Sequence, residues 1–133
     1  MAERVDLAGL VRVARALLAC PGRQVLAIAG APGSGKSTLV ESLAQALAGQ
    51  PVAILPMDGF HYDDAVLHAM GRRPWKGAPD TFDVGGLRSA LARLRDPAEG
   101  AVAVPVFDRD LEISRGSARI IGRFANLIRR QTP

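Results

Sequence analysis

The residues Gly30-Ala31-Pro32-Gly33-Ser34-Gly35-Lys36-Ser37 fit the pattern G-x-x-x-x-G-K-[ST] in full. That pattern carries a specific chemistry. Glycines let the main chain wrap so that several N–H groups converge on one phosphate, and the helix that follows adds the positive end of its dipole. Lys36 supplies a mobile positive charge suited to the β- and γ-phosphates of a nucleotide, and the Ser37 hydroxyl suits a Mg²⁺ ion bridging them. The alternative is a glycine-rich helix start that holds no ligand.

A second reactive group stands at Asp58, in Pro56-Met57-Asp58-Gly59. It follows a short apolar run, and in open α/β sheets ligands bind outside the carboxyl ends of the strands. A carboxylate there can accept the proton of an acceptor hydroxyl as its oxygen attacks a γ-phosphorus. Equally, an Asp before a Gly is a common turn pair.

These groups need elements to hold them. Leu7, Leu10, Val11, Ala14, Leu17 and Leu18 follow helical spacing, and Pro21-Gly22 ends that helix. Val25–Ala29 is a continuous apolar run, as expected of a buried parallel strand, and it leads into the glycine-rich string. Thr38–Ala48 reads as a helix with Gly49 as its stop, and Val52–Leu55 as a second strand. Strand, loop, helix, strand is a βαβ unit of an α/β fold. Further on, Asp63–Met70 reads as a short helix and residues 71–80 as a loop. Leu87, Leu91 and Leu94 mark a helix starting near Asp83 or Gly85 and closed by Asp96-Pro97, and Val102–Phe107 is extended, with Pro105 favouring an edge or strand end. Ile120-Ile121 and Leu127-Ile128 fit either strand or helix.

Composition narrows the classes. The chain has 133 residues, 48% hydrophobic and 23% charged, so one packed domain is expected rather than disorder. Its single cysteine, Cys20, allows no intrachain disulfide and no cysteine-rich zinc site. No apolar run approaches the roughly 20 residues that cross a bilayer, and Met1–Leu10 lacks the form of a signal segment, which favours a cytoplasmic protein without a membrane partner. The net charge of +4 is concentrated in the last 21 residues, where Arg115, Arg119, Arg123, Arg129 and Arg130 meet no acid. Without aromatic interleaving these arginines do not make a nucleic-acid surface. Arginine outnumbers lysine 15 to 2, which singles out Lys36 and Lys76.

Three strings together carry a resemblance: Leu55–His61 (LPMDGFH), Lys76–Asp83 (KGAPDTFD) and Pro105–Arg109 (PVFDR). They resemble the P-loop kinases of small hydroxylated molecules, a superfamily that includes uridine kinase, phosphoribulokinase and bacterial pantothenate kinase, and above all its bacterial uridine-kinase-like members. The likeness runs from about Gln24 to Arg119. It implies a three-layer P-loop NTPase fold with a parallel sheet, and an ATP-dependent phosphotransferase with Mg²⁺ as cofactor. The acceptor would be a hydroxyl of a small metabolite such as a nucleoside, a sugar or a pantothenate-like molecule. The same resemblance implies an ATP-binding set of Gly30, Ala31, Pro32, Gly33, Ser34, Gly35, Lys36, Ser37 and Thr38, with Lys36 and Asp58 catalytic and Ser37 the metal ligand.

On the acceptor side the likeness points to His61, Asp83, Phe107 and Arg109, Phe107 matching an aromatic position that lies against the base in uridine kinase. Each has a plainer reading. His61 could be a bystander in a polar loop, Asp83 the N-cap of the Leu87 helix, and Arg109 a surface partner of Asp108 or Asp110. Lys76 and Arg72-Arg73 bind an anionic acceptor or are solvated, and Trp75 caps the pocket or packs under the loop. Gly77 stands where uridine kinase has an aspartate for the ribose, and Glu112 where it has a uracil-contacting histidine. Both departures count against uridine.

The resemblance also implies one more strand, ending near an acidic residue, between the two strands flanking the glycine-rich string. After Ile121 the chain reads Gly122-Arg123-Phe124-Ala125-Asn126-Leu127-Ile128-Arg129-Arg130, with no acid. The expectation is therefore an incomplete kinase fold over residues 1–121 and a basic tail over 122–133. The sequence favours a fragment or frameshifted product, the other possibilities being a substitute strand from the tail or from another chain. A homo-oligomer is left open. The competing function is a nucleotide-binding remnant without activity. Third stands a regulatory GTPase on the strength of Asp83-Val84-Gly85-Gly86, which fits D-x-x-G but comes without an N-K-x-D string.

Overall fold

The computed structural model describes residues 3–31, 33–122 and 125–131. Helix α1 spans Leu7–Leu18, and its first turn is held by the Asp6 carboxylate, which accepts from the Gly9 N–H at 2.8 Å. Strand β1 is Val25–Ala29, helix α2 Lys36–Ala46, and strand β2 Val52–Pro56. Helix α2 begins two residues before the expected Thr38, because Gly35, in the left-handed region at φ +85°, takes the cap position and lets the helix start at Lys36.

After β2 a single 3₁₀ turn, Met57–Phe60, carries Asp58, and the short helix α3 covers Asp64–Ala69 with Asp63 as its cap. Two more 3₁₀ turns shape the loop, at Arg73–Trp75 and Pro79–Thr81. Helix α4 is Val84–Arg95, β3 Val102–Asp108, β4 Ile113–Ile121 and β5 Asn126–Gln131. The two apolar pairs that fitted either state, Ile120-Ile121 and Leu127-Ile128, both lie in strands. Pro105 sits inside β3, at a register irregularity between Val104 and Val106, where its missing N–H costs no ladder bond.

The strand order in the main sheet is β1-β5-β2, all parallel. The slot between β1 and β2, expected to lack a strand, is filled by the tail. Ile128 pairs with Leu26 on one side and Ile54 on the other. The basic tail over 122–133 is thus in part a central strand, and its apolar pair explains why: Ile128 is buried and packs with α1 and α2. Arg123 and Phe124 lie outside the described residues, as do Thr132 and Pro133.

Side chains alternate across this sheet. Leu26, Ile28, Val52, Ile54 and Ile128 face α1 and α2 and pack with Ala14, Val40, Leu43 and Leu47. Val25, Ala53 and Leu55 face the other way, toward Phe60, Phe82, Leu87, Leu94 and the hairpin residues Val102, Val104 and Ile121. The result is three layers: helices α1 and α2, a short parallel sheet, and a second cover made of α4 and the antiparallel β3–β4 hairpin.

Because Ile128 is 2% exposed, Ile128→Ala is expected to destabilise the chain by about 2–5 kcal/mol, whereas Leu111→Ala, at a 64% exposed position, stays within about 0.5 kcal/mol. Urea unfolding monitored by circular dichroism measures both.

Candidate functional site

Parallel pairing brings the carboxyl ends of β1 and β2 to one edge of the sheet, so the glycine-rich loop and the Met57–Phe60 turn leave side by side. Gly33 and Gly35 both adopt positive φ, +76° and +85°, conformations that side-chain-bearing residues rarely take. A Cβ on Gly30 would stand 2.6 Å from the Ser34 Oγ. The loop is therefore shaped by its glycines into a main-chain cradle at the amino end of α2, which suits an anionic group. Lys36 and Ser37 form the first turn of that helix. Pro32, part of the expected set, lies outside the described residues.

Ser37 and Asp58 line one cavity of about 210 Å³, together with Val40, Glu41, Ile54, Pro56, Val106, Phe107, Arg109 and Arg119. This juxtaposition joins the loop residue expected to hold a cation and the carboxylate expected to act as base. The Asp58 side chain is 18% exposed, and the Arg109 guanidinium lies 3.6 Å from its Oδ2. Arg109 thus pairs with Asp58 rather than with its sequence neighbours Asp108 or Asp110. Asp108 is used otherwise: its Oδ1 accepts from the Asp110 and Leu111 N–H groups and shapes the β3–β4 turn.

The turn that holds Asp58 is fixed by close backbone packing. A Cβ on Gly59 would meet the Pro105 carbonyl oxygen at 2.5 Å and its carbon at 2.8 Å. Gly59 is thus required by the approach of β3, the strand that brings Phe107 and Arg109 to the cavity.

Beyond the Met57–Phe60 turn the chain returns antiparallel to itself: Tyr62 N–H donates to the Thr81 carbonyl, and Asp83 N–H to the Phe60 carbonyl. Thr81, fully buried, closes the loop by donating to the Ala78 carbonyl and accepting from the Gly77 N–H. This return stacks the His61 ring on Phe82 at 4.0 Å between centroids and places it 5.4 Å from Phe107. His61 Nδ1 stands 3.0 Å from the Asp58 carbonyl, a contact that selects the tautomer with the proton on Nδ1.

His61, Phe107, Arg109 and Asp58 are therefore neighbours, while Asp83 serves as the N-cap of α4, accepting from the Gly86 N–H at 2.9 Å. Lys76 is not solvated. Its ammonium donates to Asp64 at 2.7 Å, with Glu112 and the Phe107 ring near it. Hydrogen bonds from Lys76 and then Arg73 hold the Asp64 carboxyl below its ordinary range, and Arg72 does the same for Asp80. Trp75 is 56% exposed and lies under the Arg72 guanidinium, 4.8 Å from its carbon.

Val40, Glu41, Ile54 and Arg119 line the cavity from outside the motifs, and of these Arg119 makes a long-range contact. Arg119, from β4, donates to the Ile54 carbonyl of β2 at 2.9 Å and so ties the hairpin to the sheet. Its only sequence signal is a charge at an inward position of a strand, which the acid-free tail disguises.

Comparison with known proteins agrees with this geometry. The family model described as methylmalonyl Co-A mutase-associated GTPase MeaB matches residues 8–61, from α1 to just past Asp58. That stretch contains the glycine-rich loop and ends before the Lys76–Asp83 and Pro105–Arg109 strings. The solved structure of a proposed fructose transport system kinase from Silicibacter sp. TM1040 superposes with a TM-score of 0.82 at 39% identity, covering 98% of this chain and 64% of that one. The fold is therefore that of the P-loop kinases.

In sequence, the chain is 45% identical over 91 residues to the uncharacterized Escherichia coli K12 protein YggC, covering 65% of this chain and 37% of that protein. It is 36% identical over 94 residues to a proposed uridine kinase of Schizosaccharomyces pombe, covering 65% and 40%. The chain is a relative of P-loop kinases in both sequence and fold, and it spans about two fifths of the length of these curated relatives. Among the described residues no helix is long and apolar enough to cross a membrane.

Gly59→Ala is expected to cost about 1–3 kcal/mol through its clash with the Pro105 backbone, measured as a shift of the urea midpoint at unchanged slope.

Proposed function

We propose that this chain carries the catalytic centre of an ATP-dependent phosphotransferase that moves the γ-phosphoryl group to a hydroxyl of a small metabolite. The observation behind it is one cavity lined by Ser37 at the start of α2, by Asp58 and by Phe107 and Arg109. Main-chain N–H groups of Gly33, Gly35 and Lys36 together with the Lys36 ammonium hold the triphosphate, while the Ser34 N–H is spent on the Ala31 carbonyl. Mg²⁺, which supplies charge neutralisation on the β- and γ-phosphates, suits the Ser37 hydroxyl.

The acceptor hydroxyl binds between Asp58 and the His61–Phe107 wall. Its proton passes to the Asp58 carboxylate while its oxygen forms a bond to the γ-phosphorus and the bond to the bridging oxygen breaks, releasing ADP. Arg109, 73% exposed on its side chain, reaches from Asp58 toward developing charge on the transferred group. The relatives named for uridine and fructose transport support a small hydroxylated acceptor and do not fix which one.

ADP release measured with a panel of sugars, nucleosides and other polyols tests this reading. It is expected to depend on one acceptor class, and Asp58→Asn is expected to lower kcat about 10²–10⁴-fold while Mg-ATP affinity stays within about threefold. Folded protein that binds Mg-ATP but releases no ADP with any acceptor would instead be the nucleotide-binding remnant.

A further inference from the structure

Lys76, one of two lysines in the chain, has a side chain only 11% exposed. A buried ammonium needs compensation for its lost hydration, and it has three N–H donors to place. Three oxygens stand within reach: Asp64 Oδ1 at 2.7 Å, Glu112 Oε2 at 3.4 Å and the Glu112 carbonyl at 3.5 Å. The Phe107 ring centroid is 5.1 Å away, in range of a cation–π contact. A compact ammonium serves this converging set better than the planar fork of a guanidinium, although arginine is the chain's habitual cation.

The oxygens come from two different segments. Asp64 opens α3 in the acceptor loop, where Arg73 also holds it at 3.0 Å, and Glu112 closes the β3–β4 turn. Glu112 has φ +55°, an uncommon conformation for a residue with a side chain. Strain of this kind persists where surrounding contacts over-determine the backbone. The first segment follows His61 in the chain, and the second carries Phe107 and Arg109.

We infer that Lys76 is a positioning residue that clamps the β3–β4 turn to the acceptor loop and so fixes the spacing of Phe107 and Arg109 from His61 around the acceptor. The inference rests on the kinase reading above. Its direct consequence falls on the acceptor and not on the nucleotide, since Lys76 lies outside the wall that Ser37 and Asp58 share.

The test compares Lys76→Met and Lys76→Arg in the full chain by two readouts, amide hydrogen exchange and kinetics. In Lys76→Met, exchange over residues 106–114 is expected to quicken about tenfold with α1 and α2 unchanged. Acceptor KM is expected to rise about tenfold, more than kcat falls, with Mg-ATP affinity within about twofold; Lys76→Arg returns KM to within about threefold. Unchanged exchange over 106–114 overturns the clamp, and so does a loss of Mg-ATP affinity in step with KM. Should the wild-type chain phosphorylate no acceptor, the kinase reading fails while the exchange comparison still decides the clamp.

Discussion

The pairing of one strand, β5, with both β1 and β2 in parallel register is the constraint on which the molecule depends. Two separate strands would leave facing rows of backbone donors and acceptors without partners, an expensive condition in a packed interior. With Ile128 between Leu26 and Ile54, both rows are satisfied and the strands are aligned so that their carboxyl ends share one edge. Everything chemical follows from that alignment. The glycine cradle leaves from β1, Asp58 leaves from β2, and the distance between them is set by one intervening strand.

Around that edge the two sides of the site are built from different materials. The side proposed for phosphate is main chain shaped by glycines, with a lysine and a serine at the start of α2. The side proposed for the acceptor is aromatic and ionic: His61, Phe82 and Phe107 in contact, and Lys76 among Asp64 and Glu112. Gly59 joins them, because only the absence of a side chain lets β3 pass so close to the turn that bears Asp58. Such an arrangement lets the acceptor wall vary without disturbing the cradle, which agrees with relatives named for different small molecules sharing one fold.

Much of this was legible in the sequence where local chemistry decides. Helix α1 spans the expected Leu7–Leu18, and β1 the expected Val25–Ala29, since periodicity and Pro21-Gly22 agree there. The cradle was legible from its glycines and Lys36-Ser37. Tertiary facts were not. Leu127-Ile128 is too short an apolar run to tell strand from helix, and the arginines beside it mask a central strand whose identity comes only from the vacancy it fills between β1 and β2. Lys76 read as solvated or anion-binding because its carboxylate partners lie 12 and 36 residues away, and Arg119 was masked among the tail arginines because its partner is a main-chain carbonyl 65 residues upstream. Asp83 reads from the sequence as both acceptor ligand and helix cap, and the structure shows its carboxylate bonded to the Gly86 N–H.

In the proposed reading the glycine cradle and Lys36 grip a nucleotide triphosphate in a chain whose sheet is closed by β5. Titration calorimetry of the folded chain with Mg-ATP tests it most directly. The account predicts one saturable site per chain, lost in Lys36→Met while the circular dichroism spectrum is unchanged. Folded wild-type protein that takes up no Mg-nucleotide, or a Lys36→Met variant that binds as well as the wild type, would contradict it.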